Sequence, residues 1–162
     1  MDRWEYLITK EYSVRHSIAE HYIDGLDEVI DIGTYKRKLR FSGKLHSIDL
    51  LKTFDDTFHG TAAEWKNIYF NQISGRFGVV ILGFDIEGGS SEIQAVIDLI
   101  NRAEVAVIDI PMQHQPSVEQ FKLVLDQLNK KYHTTINLLL PEMDTPGFPS
   151  YNVRNIYIFK GE

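Results

Sequence analysis

Short apolar runs alternate along this chain with longer stretches in which apolar residues recur every three or four positions. The short runs are typical of strands covered on both faces, and the periodic stretches are typical of amphipathic helices. The first run begins at Glu28 and ends in Asp31-x-Gly33. Six more runs complete seven predicted strands, at Lys44–Asp49, Ile68–Phe70, Phe77–Leu82, Val105–Ile110, Ile136–Leu140 and Asn155–Phe159.

Three helices are predicted from the periodic stretches. The first covers Ser13–Ile23, and Gly25 ends it in the manner of a C-terminal glycine. The other two are each preceded by a Ser with a Gln three residues later, a spacing that predicts a capping box. These pairs are Ser91 with Gln94, and Ser117 with Gln120.

The predicted apolar stripes of the second and third helices are core positions. They comprise Ile93, Val96, Ile97 and Ile100 in the one, and Phe121, Val124, Leu125, Leu128 and Tyr132 in the other. Residues 53–66 carry only a weak helical pattern, which is interrupted at Gly60.

The alternation of strands and helices predicts the topology of the sheet. It favours a mostly parallel sheet with right-handed crossovers and a ligand site at the carboxyl ends of the strands. Between Pro141 and Asn152 there are three prolines and no helical period, so the last two strands are expected to pair antiparallel through a long loop. No linker or repeat divides the chain. We therefore predict a single Rossmann-like three-layer α/β sandwich over residues 1–162.

Composition narrows the class of protein. Hydrophobic residues make up 43% of the chain and charged residues 25%, as in ordinary globular proteins. There is no Cys, which excludes disulfides, thiolate nucleophiles and Cys-ligated zinc. The N-terminus is too charged to begin a signal peptide, and the apolar runs are too short to span a bilayer. We expect a soluble cytoplasmic protein that does not enter the membrane.

Charge is distributed unevenly. The formal net charge of -6 argues against broad electrostatic adhesion to nucleic acid. A basic segment between Ile32 and Ile48 nevertheless contains no acid. It is either a solvated loop with a first helical turn, or a site for an anionic ligand or partner. Its basic residues are Lys36, Arg37, Lys38, Arg40 and Lys44.

Two residues at the ends of the first two strands suit a cofactor. Gly33 lets the backbone turn sharply and approach a ligand with no Cβ between them, in a conformation that costs other residues about 1–2 kcal/mol. Asp49 ends the neighbouring strand, where a carboxylate can accept two hydrogen bonds from a ribose diol. His16 and His21 stand five apart and share no helical face, so no metal site is predicted.

With these residues the sequence resembles the class I S-adenosylmethionine-dependent methyltransferase superfamily, from the helix at Ser13 to Phe159. Asp31-Ile32-Gly33 stands where that family has an acid-x-Gly-x-Gly loop, and Asp49 stands where the family has the acid that ends strand two. The stretch 77–109 looks like the family's fourth strand, helix and fifth strand. The resemblance implies that S-adenosylmethionine is the cofactor and that Asp31 serves its amino-acid end, directly or through water.

The chain departs from the family pattern in the same loop. Tyr35 and Arg37 stand where the family has small residues, and Tyr35 would lie against the cofactor together with Asp31, Gly33 and Asp49. Two bulky side chains at a close backbone approach would obstruct the usual cofactor pose unless the loop is rebuilt. The chain also lacks the Asn/Asp-Pro-Pro-Tyr motif of methyltransferases that act on amide or base nitrogens.

Three residues are candidates for proton transfer. Asp85 and Glu87 follow the fourth strand and could accept a proton from a substrate hydroxyl or amine, although such residues are more often plain acids at a strand end. His114, just after the fifth strand, lies at the same edge of the sheet and is a candidate acid or base.

Three functions remain open from the sequence. The first is methyl transfer from S-adenosylmethionine to a small-molecule acceptor. The second is a non-catalytic methyltransferase-like binding or assembly module that has lost the cofactor and contacts a protein partner, which Tyr35, Arg37 and the basic segment favour. The third is a nucleotide- or phosphate-binding Rossmann-like enzyme that uses the basic segment. The methyl acceptor and the oligomeric state do not follow from the sequence.

Overall fold

The computed structural model of the protein describes residues 11–34, 38–51, 54–84, 86, 89–129, 132–141 and 151–160. The helices in that part of the chain are α1 (Glu11–Ile23), α2 (Ala62–Tyr69), α3 (Ser90–Arg102) and α4 (Gln115–Gln127), and a 3-10 turn, Phe70–Gln72, follows α2. The strands are β1 (Glu28–Ile32), β2 (Lys44–Asp49), β3 (Phe58–His59), β4 (Phe77–Leu82), β5 (Val105–Pro111), β6 (Tyr132–Pro141) and β7 (Tyr151–Lys160).

The seven strands form one mixed sheet in the order β3-β2-β1-β4-β5-β7-β6. The first five strands in this order are parallel to one another, and β7 runs antiparallel to both β5 and β6. This confirms the predicted parallel sheet with a reversed last strand. The order changes direction between β1 and β4, and such a switch point leaves a crevice at the carboxyl ends of the strands.

Helices cover both faces of the sheet because its central strands are apolar on both sides. In β4, the first five of six residues are buried. One core cluster joins the sheet to α2, α3 and α4 and includes Ile30, Ile48, Trp65, Val79, Ile81, Val96, Ile100, Ala106, Ile108, Phe121 and Val124. The other joins the sheet to α1 and includes Ala19, Ile23, Val29, Val80, Val105, Val107, Ile156 and Ile158.

The third strand was predicted in the wrong place. Residues 68–70 end α2 and begin the 3-10 turn, whereas β3 lies earlier and has two residues. The helix forms because Thr61 and Glu64 make a capping box: Thr61 Oγ1 accepts from the Glu64 N–H at 3.1 Å, and Glu64 Oε1 accepts from the Thr61 N–H at 3.2 Å. Trp65 then buries its ring in the core.

The two predicted capping boxes are also wrong. Helix α3 begins one residue before Ser91, after Gly89, whose φ of 78° a glycine adopts without strain. Helix α4 begins two residues before Ser117. The N-cap residues of α3 and α4 are Gly89 and His114, and neither caps its helix with a side-chain hydrogen bond. The predicted buried stripes are otherwise confirmed, except that Tyr132 lies in β6 because α4 ends at Gln127.

Other predicted boundaries are close to those observed. Helix α1 ends before Gly25, which has a φ of 86° as a C-terminal glycine should. The predicted bounds of β2 and β4 coincide with the observed ones, while β6 and β7 are longer than predicted. These two strands form the antiparallel pair expected from the loop between them.

Candidate functional site

The turn after β1 is held over the end of β2. Gly33 has a φ of 80°, and its N–H donates to the carbonyl of Ile48 at 2.7 Å. A Cβ at this position would meet no atom within 4 Å apart from those of its two chain neighbours, so the requirement for glycine comes from backbone conformation and not from lack of space. The turn therefore has the shape predicted from the Asp31-x-Gly33 pattern.

Asp31 lies beneath this turn. Its side chain is 3% exposed, and the Thr34 hydroxyl donates to its Oδ2 at 3.2 Å. Burial raises the pKa of Asp31 to about 7; the hydrogen bond from Thr34 opposes this shift, and the negative charge of Asp49 adds to it. Asp31 is thus buried under the turn and is not one of the residues that line the cavity described below. Its contact with the amino-acid end of a cofactor stays a prediction.

Asp49 ends β2 at the rim of a cavity. Its Oδ1 accepts from the N–H of Leu51 at 2.8 Å, and its carbonyl accepts from the N–H of Gly60 at 2.9 Å. These bonds fix the carboxylate where the chain leaves the sheet. Asp49 is only partly buried, so it is accessible at this rim, and its contact with a ribose stays a prediction.

The cavity lies where the carboxyl ends of β1, β2 and β4 meet. Its volume is about 190 Å³, below the range of about 300–1,000 Å³ found for pockets that enclose a drug-sized ligand. A space of this size suits part of such a ligand, such as a nucleoside. The residues around it are Ile32, Gly33, Ile48, Asp49, Leu50, Gly60, Thr61, Ala62, Ile81, Gly83, Ile86, Glu92 and Val96.

Glu92 is a wall residue that the sequence analysis did not identify. Its carboxylate is buried and accepts from the backbone N–H groups of Ala62 at 2.8 Å and Ala63 at 3.0 Å. It therefore caps α2 from another helix, and a negative charge is favourable at a helix N-terminus. Because the partners are about thirty residues apart, no local pattern in the sequence indicates this contact.

A buried charge cluster lies at the carboxyl ends of β4 and β5. Asp109, near the end of β5, is fully buried and makes ion pairs with Arg15 and Arg154. Burial would raise the pKa of Asp109, but the two guanidinium groups outweigh it and hold the pKa below its usual value. The carboxylate also accepts from the Gly83 N–H at 2.9 Å, which ties the end of β4 to β5. An acid within an apolar strand was visible in the sequence, but its two partners were not.

The structure describes only one of the three candidates for proton transfer, His114. His114 is exposed, precedes α4, and has its Nδ1 2.7 Å from Ser117 Oγ. It follows β5, but it is not one of the residues around the cavity. Asp85 and Glu87 lie outside the described residues, so the catalytic roles of all three stay predictions.

The basic segment is also described only in part. Tyr35, Lys36 and Arg37 lie outside the described residues. Lys38 donates to both carboxylate oxygens of Asp56, and its Nζ lies 5.0 Å from the centre of the Phe54 ring. An anionic ligand at this segment stays a prediction.

Two further searches covered the described part of the chain. No cluster of three or more His, Asp or Glu side chains there could hold a metal ion. No described helix is both long enough and apolar enough to cross a membrane.

Comparison with known proteins gives matches among solved structures. No protein-family model and no curated protein sequence matches the chain. The N-methyltransferase NodS from Bradyrhizobium japonicum superposes with a TM-score of 0.58 at 9% identity, over 93% of this chain and 96% of that protein. A precorrin-6y C5,15-methyltransferase from Geobacter metallireducens gives 0.52 at 12% identity, over 90% and 88% of the two chains. An rRNA methylase from Streptococcus thermophilus gives 0.52 at 10% identity, over 92% and 95%.

Likeness at such low identity establishes the fold. The strand order, the reversed β7 and these superpositions are those of the class I methyltransferase fold, as the resemblance in the sequence implied. The three similar proteins are named for different methyl acceptors, so the comparison leaves the acceptor of this chain open.

Proposed function

We propose that this chain, which has the class I methyltransferase fold, binds S-adenosylmethionine at the carboxyl ends of β1 and β2 and transfers its methyl group to a small-molecule acceptor. The observation that carries the proposal is the juxtaposition of the Gly33 turn and the Asp49 carboxylate at one cavity. The first allows close backbone approach, and the second offers acceptors to a ribose.

The described residues suit the nucleoside part of the cofactor. A carboxylate has about four acceptor positions, so Asp49 can bind ribose hydroxyls while it keeps the Leu51 N–H. Several side chains around the cavity are apolar, and Leu50 is 45% exposed beside Asp49, which gives a planar base an apolar surface. The Gly33 turn would border the remainder of the cofactor.

The proposed reaction requires few catalytic groups from the protein. When bound, S-adenosylmethionine supplies a methyl group on an activated sulfonium. The protein would align the acceptor with that methyl group and remove one proton, for which Asp85, Glu87 and His114 are the candidates. The net charge of -6 disfavours a polyanionic acceptor, which supports a small molecule over RNA.

A second function is favoured by the size of the cavity. A space of about 190 Å³ is small for a whole cofactor, as expected for a non-catalytic binding or assembly module that no longer holds one. The bulky Tyr35 and Arg37 after the turn support the same alternative.

Thermal unfolding with S-adenosylhomocysteine separates the two functions. At about 100 times its dissociation constant, a bound ligand stabilises the folded state by about 2.7 kcal/mol, which raises the Tm of a chain this long by about 5–10 °C. Asp49→Ala should weaken binding about 10–100-fold because charge-assisted hydrogen bonds to the ribose are lost. Asp126→Ala, at an exposed acid on α4, is the matched control and should bind normally.

The results discriminate clearly. Absence of a Tm shift with both S-adenosylhomocysteine and S-adenosylmethionine, up to millimolar concentration, would refute the cofactor proposal and leave the binding module. A shift that Asp49→Ala leaves unchanged would mean that the ligand binds elsewhere.

A further inference from the structure

The cavity at the carboxyl ends of β1, β2 and β4 has few polar side chains. Among the described residues that line it, three carry polar side chains: Asp49, Thr61 and Glu92. The Thr61 hydroxyl is already used within α2, because it accepts from the Glu64 N–H and donates to Glu64 Oε1, both at 3.1 Å. Asp49 and Glu92 are therefore the side chains best placed to recognise the polar groups of a ligand.

The carboxylate of Glu92 can accept more hydrogen bonds than those that cap α2. The residue is 6% exposed, and its two oxygens accept one N–H each, from Ala62 and from Ala63. A carboxylate has about four acceptor positions, so about half of them stay available. No Lys, Arg or His in the described ranges makes an ion pair with Glu92. Since a buried charge is favoured by each further donor, these positions suit a donor that a ligand supplies.

The two acids of the cavity are joined by a short segment of backbone. The N–H of Gly60 donates to the carbonyl of Asp49 at 2.9 Å, and the N–H of Ala62 donates to Glu92 Oε1 at 2.8 Å. Residues 60–62 all line the cavity. Two peptide units span at most about 7 Å, a distance that a purine base can bridge. A nucleoside with its ribose on Asp49 and its base along this segment would therefore bring the edge of the base to Glu92.

The charge of the cavity favours one class of ligand group. Its described lining has two carboxylates and no basic side chain, so a phosphate would be repelled, whereas N–H and O–H donors are attracted. The amino group of adenine carries two N–H donors and no charge. It can therefore bond a buried carboxylate without the cost of removing a second charge from water.

We propose that Glu92 selects the base of the cofactor, because its carboxylate accepts a hydrogen bond from the 6-amino group of adenine while the ribose lies on Asp49. The inference rests on the proposed function and adds to it the residue that distinguishes adenine from a purine without an amino group. The N–H groups of Ala62 and Ala63 hold the carboxylate in place before the ligand arrives. An acceptor fixed in this way loses little conformational entropy on binding.

Two ligands test this inference: S-adenosylhomocysteine, and its analogue in which unsubstituted purine replaces adenine. The analogue lacks the amino group and adds no new donor. Isothermal titration calorimetry with the full chain gives the dissociation constant of each. We expect the wild type to bind the analogue about 10–100-fold more weakly, because a hydrogen bond to a charged acceptor is lost. In Glu92→Ala the ratio of the two dissociation constants should fall close to one, because neither ligand then makes this contact.

The ratio, rather than the affinity itself, separates recognition of the base from support of the helix. Loss of a cap would weaken both ligands alike and leave the ratio unchanged. Glu64→Ala is the matched control, because Glu64 caps the same helix through Thr61 but does not line the cavity. It should keep the ratio of the wild type, and so should Asp49→Ala, which weakens both ligands through the ribose.

A second variant keeps the test valid if Glu92→Ala is poorly folded. Glu92→Gln retains the size of the side chain and one acceptor oxygen, but it removes the negative charge. Because hydrogen bonds to ionised acceptors are about twice as strong as neutral ones, this variant should give a ratio between that of the wild type and one.

Failure of this inference differs from failure of the proposed function. No binding of S-adenosylhomocysteine to the wild type would refute the proposed function, and the role of Glu92 with it. Equal affinity of the wild type for the two ligands would refute the role of Glu92 alone, as would a preference that Glu92→Ala and Glu92→Gln both leave unchanged. A ratio that Glu64→Ala lowers as much as Glu92→Ala would assign the preference to the start of α2 and overturn the inference.

Discussion

Replacing Asp31 with asparagine should remove a pH dependence of stability that comes from one buried carboxyl group. Because the pKa of Asp31 is raised by burial to about 7, the folded protein keeps this proton at pH values where the unfolded chain has lost it. The free energy of unfolding should therefore fall as pH rises from about 4 to about 7, and the contribution should be constant above and below that window.

The size of the effect follows from the two pKa values. A shift from 3.8 to about 7 corresponds to about 4 kcal/mol, since each pKa unit is 1.36 kcal/mol. In Asp31→Asn the side chain is neutral at every pH, and its amide oxygen can still accept from Thr34. The amide also places new donors in a buried position, which adds a cost that does not vary with pH.

Urea unfolding of both proteins from pH 4 to pH 8.5 measures this contribution. The quantity of interest is the difference in free energy of unfolding between variant and wild type, which cancels all other titrating groups. It should change in favour of Asp31→Asn by about 4 kcal/mol between the ends of the range. Asp126→Asn, at an exposed position, serves as control and should give a difference that varies little.

Asp49 provides an internal check on the same reasoning. Its negative charge raises the pKa of Asp31, so Asp49→Asn should move the midpoint of the transition to lower pH. A pH-independent difference between wild type and Asp31→Asn would refute the assignment of a neutral, buried carboxyl group beneath the Gly33 turn.

Two further predictions concern the supports of the rim. Asp109→Asn should lower the free energy of unfolding at pH 7 by about 3–5 kcal/mol, because Arg15 and Arg154 lose their buried counter-charge; since the pKa of Asp109 is lowered in the folded state, the loss should shrink in urea titrations as pH falls below about 4. A loss that stays equal at pH 3 would contradict this account. Glu92→Ala should cost about 1 kcal/mol by the same method, because two N–H groups of α2 lose their acceptor, and Glu92→Gln should recover part of that. A Glu92→Ala variant as stable as the wild type would show that the cap contributes nothing.

The parts of the fold that could be predicted are those with a local cause. Strands β2 and β4 follow from continuous runs bounded by turn residues, and the left-handed turn at Gly33 follows from its position after a buried strand. Helix α2 had a readable signal in Thr61-x-x-Glu64, but the interruption at Gly60 concealed it. β3 could not be found because two residues give no periodicity, and pairing with β2 alone defines it.

The site was less predictable because its chemistry depends on distant partners. Asp49 could be placed from sequence, since strand ends in a parallel sheet meet at one edge. Asp109 and Arg15 are 94 positions apart, and their ion pair exists only after α1 has packed on the sheet. The capping role of Glu92 likewise requires α2 and α3 to be adjacent. The sequence thus indicated which acids lie at the carboxyl ends of the strands, but not which of them have hydrogen-bond or ion-pair partners.

The sheet holds two buried aspartates, Asp31 on β1 and Asp109 on β5, whose pKa values are shifted in opposite directions. Asp109 has two guanidinium groups against it and stays ionised, so it fixes the end of β4 through Gly83. Asp31 has a hydroxyl as its donor and another acid nearby, so burial prevails and its pKa approaches neutrality. A cation brought to the rim would favour the ionised form of Asp31, and the binding of any positively charged ligand there should release a proton near pH 7.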